Sequence, residues 1–168
     1  MPVRSHALPV SPPLPLLFWL VLLATGAAML DLGVAVAWFG AQGVPAERVF
    51  QSIATWVLGR SAYYGGDATV VFGGLFYTAV VCAVMALYRP LARRFPLMLA
   101  RPLSLGALYG GLMYMLIFLL LVPHFSAANP APHPLSWHAL CVAAYALLVG
   151  IPAALLARVP ADGFPSKA

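Results

Sequence analysis

Four long apolar runs, separated by stretches that hold nearly all of the charge, organise this chain. They are Leu16–Gly40, Ala68–Tyr88, Pro102–Pro123 and Leu135–Ala157. A bilayer core about 30 Å thick takes about 20 helical residues to cross, and each run meets that length. Helix is the form they demand, because backbone groups in lipid must be satisfied within the segment. A β-barrel is excluded, since a run such as Met113–Leu121 lacks the apolar–polar alternation of barrel strands.

The connection from Ala41 to Asp67 is not loop-like throughout. Pro45 followed by Glu47 marks a helix start. Val49, Phe50, Ile53, Trp56 and Val57 then recur at helical spacing, with Arg48, Gln51, Ser52, Thr55 and Gly59 on the other side. This predicts a short amphipathic helix at about 45–58, lying in the outer interface or dipping between the spans. Gly59, Gly65 and Gly66 loosen its exit, and Asp67 is placed to cap the second span. Arg89-Pro90 should end that span and Arg101-Pro102 should start the third. Leu91–Ala100 suits the cytoplasmic headgroup level, and the proline-rich stretch His124–Pro134, with Asn129, reads as an extended external loop.

Composition narrows the class. Of 168 residues, 63% are hydrophobic and 8% are charged. Soluble domains run near a quarter charged, and disordered chains are charged and apolar-poor, so both are excluded. The net charge of +5 does not indicate nucleic acid, because the basic residues follow membrane topology instead. Arg4, Arg89, Arg93, Arg94, Arg101, Arg158 and Lys167 fall on one side of the spans, against Arg48 and Arg60 on the other. That bias puts both termini and the middle loop in the cytoplasm of a bacterial inner membrane. The first run exceeds a secretory h-region of about 7–15 residues and is expected to be retained. One transmembrane domain, 16–157, thus lies between cytoplasmic tails, 1–15 and 158–168.

Helices in lipid associate through small residues. Gly106 and Gly110 form such a pair, used either within the bundle or as a homodimer contact; Gly74/Thr78, Ala79/Ala83 and Gly150/Ala154 are weaker versions. A Gly-Gly-Leu-x-Tyr string occurs at Gly73–Tyr77 and again at Gly110–Tyr114, and is assigned to chance in so apolar an alphabet.

Asp31 is the only charged residue inside a run, about 22 Å from its cytoplasmic end at 1.5 Å per residue. A carboxyl there costs about 2.5–3.5 kcal/mol on insertion scales, so it needs a structural partner or a task such as carrying a proton or binding a cation. Arg60, or the hydroxyls of Tyr63 and Tyr64, are the expected partners. His124, His133 and His138 gather near the last external loop, with His6 in the tail, but match no standard metal spacing. His138 beside Trp137 suits an aromatic belt. Cys82 and Cys141 read as apolar core residues rather than a redox pair. No phosphate loop, paired catalytic carboxylates or nucleophile motif is present, so the expectation is a non-enzyme without metal or cofactor.

The segment Arg48–Gly66 resembles a group of uncharacterised bacterial four-span inner-membrane proteins, broadly YagU-like. Asp31, Gln51–Ala54, Leu58-Gly59, Gly65-Gly66, Leu108–Gly110 and Val122-Pro123 carry the resemblance. It implies the same topology and places Asp31 and Gln51 in one site. Where the group often has a histidine in the second span, this chain has Tyr77.

The expectation is therefore an all-α membrane protein: a four-transmembrane-helix bundle with one short periplasmic interfacial helix. Its first expected role is structural or accessory, with the lipid bilayer as surroundings. The alternative is a small proton- or cation-coupled transporter using Asp31. Asp31, Gln51, Arg60, Tyr63 and Tyr77 are the candidate polar site.

Overall fold

The computed structural model describes residues 15–127 and 133–160. His6, Arg4, Lys167, Asn129 and most of both tails lie outside the described residues. Within them the chain is all-helical, and four helices are long and apolar enough to cross a membrane.

Helix α1, Leu16–Gly40, follows the extended Pro15 and ends in a turn closed by Val44 N–H donating to the Phe39 carbonyl. Helix α2, Ala46–Leu58, starts after Pro45, as the sequence predicts. The residue after it, Gly59, has φ +63°, a positive value that glycine adopts without a Cβ clash. A tight 3-10 turn, Gly59–Tyr64, leads to α3, Gly66–Arg94.

Two details of α3 correct the sequence expectation. No side chain caps its start, and Asp67 sits inside the first turn. The helix also runs through Pro90 instead of ending there. Proline removes one backbone donor, but the helix goes on for only one further turn, where Arg93 and Arg94 complement the negative end of the helix dipole. A single helical turn, Leu97–Ala100, then connects to α4, Pro102–Phe125, which includes His124 and Phe125 of the expected loop. Helix α5 is Leu135–Leu156.

Both α4 and α5 widen into π-helix near the middle, at Met115–Leu121 and Tyr145–Gly150. In each, a proline follows the widened stretch by two positions, Pro123 and Pro152. A proline ring clashes with the carbonyl four residues back, and looser turns relieve that clash while keeping the backbone bonded.

Glycines set how closely the helices meet. A Cβ on Gly106 would lie 2.8 Å from both the Gly150 carbonyl and the Ala154 side chain. One on Gly110 would strike the Tyr145 carbonyl, and one on Gly150 the Gly106 carbonyl. The Gly106/Gly110 face, one option for a homodimer, is thus occupied within the chain by α5. Gly73 plays the same part for α2, which rests its Phe50 carbonyl on that position. Helix α2 therefore packs on α3, burying Val49, Gln51, Ile53, Ala54 and Thr55.

Tyr77, Tyr88, Tyr145, Met85, Val81 and Val149 are the largest fully buried side chains. Helix α1 supplies small residues to this core, Ala24, Ala27 and Ala28, with Leu32. Leu17, Leu30, Leu75, Leu103 and Leu147 are exposed on the four long helices, an outer apolar surface suited to lipid. At the arginine-rich end, Tyr88 donates to the Met98 carbonyl (3.1 Å), Tyr109 to Val84 (2.6 Å) and Arg158 to Leu99 (3.0 Å).

Candidate functional site

The end of the bundle away from those arginines holds a cavity of about 480 Å³, walled by α1, α2, α3, α4 and α5. Its geometry follows from the contacts already described. The small face of α1 brings Asp31 against α3. Gly73 lets α2 lie close over α3, and Tyr77 is one helical turn further on.

Tyr77 donates its hydroxyl hydrogen to Oδ2 of Asp31. The Tyr77 and Tyr145 hydroxyls share a further hydrogen bond of 3.1 Å, so one polar chain ties α1, α3 and α5 together. The second carboxylate oxygen of Asp31 has no hydrogen-bond partner among the described residues and is not sealed off, and Asp31 belongs to the lining of the cavity. Beside it, the Tyr114 hydroxyl and His138 Nδ1 are hydrogen-bonded at 2.9 Å. Cys141 is buried on the same wall, and it and Cys82 are free thiols.

The walls are aromatic and aliphatic. Trp56 meets Phe118 edge-on at 5.3 Å between ring centres and Tyr77 at 6.5 Å. Trp137 packs against Trp38 at 5.4 Å and Phe39 at 4.8 Å. Phe39, also in the lining, lies about 12 Å along α1 from Asp31.

The mouth is marked by lining residues that are exposed: Arg48, Arg60, Ala127 and His133. Arg48 Nη1 donates to the Tyr63 carbonyl at 3.1 Å, and its guanidinium lies 5.3 Å from the Tyr63 ring centre. Arg60 makes no hydrogen bond or ion pair among the described residues. Partial burial and the neighbouring His138 hold the His133 imidazole below its ordinary pKa of 6.5, which favours its neutral form.

The five sequence candidates separate into three groups. Asp31 and Tyr77 are bonded on the floor, while Arg60 and Tyr63 line the mouth. Neither Arg60 nor Tyr63 nor Tyr64 supplies the partner expected for Asp31; Tyr64 is 88% exposed. Gln51 is elsewhere. Its amide lies 3.4 Å from both the Gly66 carbonyl and Thr69 Oγ1, where it ties α2 to the start of α3. Asp31 and Gln51 thus do not share a site.

Tyr114, Trp56 and His138 were missed as cavity residues, and Tyr145 as the partner of the Tyr77 hydroxyl. One signal was available for the first: the repeated Gly-Gly-Leu-x-Tyr string. Each copy opens on a glycine at a helix crossing, Gly73 or Gly110, and ends on a tyrosine in the cavity, Tyr77 or Tyr114. Among the described residues no group of three histidine, cysteine or acidic side chains is placed to hold a metal. His124 instead bonds the Leu120 carbonyl through Nδ1 at 2.9 Å.

Comparison with protein-family models, curated proteins and solved structures finds no match to this chain.

Proposed function

We propose that this is a multi-pass protein of a bacterial inner membrane with both termini cytoplasmic. Its cavity opens outward and binds a small solute as the first step of proton- or cation-coupled transport, without enzymatic chemistry. The observation that carries this reading is the second carboxylate oxygen of Asp31, without a partner among the described residues, in a side chain lining the cavity of about 480 Å³. A carboxyl at this depth is costly in an apolar bundle, and Tyr77 offsets that cost at only one of its two oxygens. The arginine bias supports the orientation: Arg89, Arg93, Arg94, Arg101 and Arg158 lie at the end opposite the cavity mouth. In that frame α2 lies on the periplasmic side.

A structural or accessory role is the second reading. The Asp31–Tyr77–Tyr145 chain favours it, because it joins three helices in the core.

The test is solute-driven proton movement in proteoliposomes holding a pH-sensitive dye, challenged with a panel of amines, amino acids and organic acids. Solute-dependent acidification in the wild type, lost in Asp31→Asn, is the expected result. Asparagine keeps an oxygen acceptor for Tyr77, so this variant is designed to preserve the fold while removing the charge. A wild type that moves no protons with any solute, beside an Asp31→Asn that unfolds, would leave the structural reading standing.

A further inference from the structure

Side chains of opposite charge line the cavity at different depths, Asp31 half-buried and Arg48 and Arg60 exposed. Asp31 offers a carboxylate oxygen at the floor, and the guanidinium groups of Arg48 and Arg60 stand at the mouth. Neither arginine is paired with an acid among the described residues. Phe39, Ile53, Trp56, Phe118 and Trp137 make the wall apolar.

This arrangement discriminates by charge. A simple cation reaching Asp31 passes two arginines, and a simple anion drawn in by the arginines ends against a carboxylate. In a cavity with low-dielectric walls both mismatches are costly. A molecule with a positive group at one end and a negative group at the other satisfies both ends, and a short apolar spacer matches the wall. The neutral form of His133 leaves the two arginines as the positive charge of the mouth.

We infer that the ligand is dipolar: an ammonium group seated on Asp31 and a carboxylate or phosphate held by Arg60 and Arg48, joined by an apolar spacer. This rests on the reading of the cavity as a binding site. The same chemistry has two sources, a free amino acid with its charges far apart or the headgroup of an ethanolamine phospholipid.

The experiment uses the full chain in nanodiscs of phosphatidylglycerol, which carries negative charge alone. Three probes of one length are compared by tryptophan fluorescence, since Trp56 and Trp137 line the cavity: 6-aminohexanoate, hexylamine and hexanoate. A parallel arm adds phosphatidylethanolamine to the disc in place of a free probe. Saturable binding of 6-aminohexanoate at least about tenfold tighter than either single-charge probe is expected, as the loss of one charged contact costs about that factor. Asp31→Asn should erase its advantage over hexanoate, and Arg60→Gln its advantage over hexylamine. Arg60 is exposed, so its variant tests the proposal even if Asp31→Asn folds poorly.

A response to phosphatidylethanolamine, weakened by either substitution, supports the proposal and identifies a lipid headgroup as the source. Hexylamine or hexanoate binding as tightly as 6-aminohexanoate overturns it while leaving the cavity a binding site. Failure of the underlying reading has its own signature: no probe, and no ethanolamine lipid, protects Ser52→Cys in the cavity wall from a maleimide. That result overturns both.

Discussion

Tyr77 and Asp31, 46 residues apart in the chain and on different helices, share a hydrogen bond in which the phenol donates to Oδ2. The bond leaves the other carboxylate oxygen without a partner among the described residues, in a side chain that lines the cavity. Tyr145 completes the arrangement by bonding the Tyr77 hydroxyl from a third helix.

Removing the phenol should therefore cost stability. In Tyr77→Phe, Oδ2 of Asp31 and the Tyr145 hydroxyl both lose their partner. Losing a hydrogen bond to a charged group costs about 2 kcal/mol, read as a lower midpoint of thermal unfolding in micelles. Asp31→Asn keeps the acceptor and should lose less than half as much. Equal stability of Tyr77→Phe and wild type would show that the bond contributes nothing to the fold.

The helix crossings make a second expectation. Gly110→Ala and Gly150→Ala force a methyl group into a facing backbone and should each cost about 1–3 kcal/mol. Gly26→Ala and Gly33→Ala in α1 have nothing within 4 Å of the new atom. They should be neutral or gain up to about 1 kcal/mol from the reduced freedom of the unfolded chain. Unfolding in mixed micelles compares the four, and matching losses at all of them would contradict the packing described.

Accessibility checks the proposed orientation. With Cys82 and Cys141 replaced by alanine, Ser52→Cys should react with a membrane-impermeant maleimide added to intact cells. Arg94→Cys should react only after the cells are opened, and Val81→Cys, at 0% exposure, in neither case. Reaction at Arg94→Cys from outside, with Ser52→Cys silent, would reverse the orientation.

His133 predicts an acid-side trend. Its folded pKa lies below 6.5, so as pH falls through 6.5 the unfolded chain takes up this proton first. Stability should decline across that window and level off once the folded imidazole is also protonated. Imidazole NMR shifts give the midpoint, and His133→Gln should remove this part of the slope. A midpoint at or above 6.5 would contradict the burial seen at the cavity mouth.

The limits of sequence reading show in particular residues. Pro90 reads as a stop and is not one, because only one more turn follows it and that turn carries two arginines. The π-helical stretches at Met115–Leu121 and Tyr145–Gly150 had a sequence cue only in Pro123 and Pro152, each two residues beyond. Gln51 is buried as a polar residue on an amphipathic helix, but its partners lie at the start of α3 and not at Asp31.

Every local feature was legible along the chain: four helices able to span a membrane, the amphipathic helix between the first two, and Asp31 as the one acid out of place. Composition and period are properties of a single segment, and an apolar segment must satisfy its own backbone. Packing set the rest: that Tyr77 meets Asp31, that Gly106 and Gly110 face α5, and that five helices enclose a cavity. A helix that is apolar all round carries no mark of which side turns inward. That choice comes from close contacts between helices distant in sequence, made where a glycine on one lets the backbone of another approach.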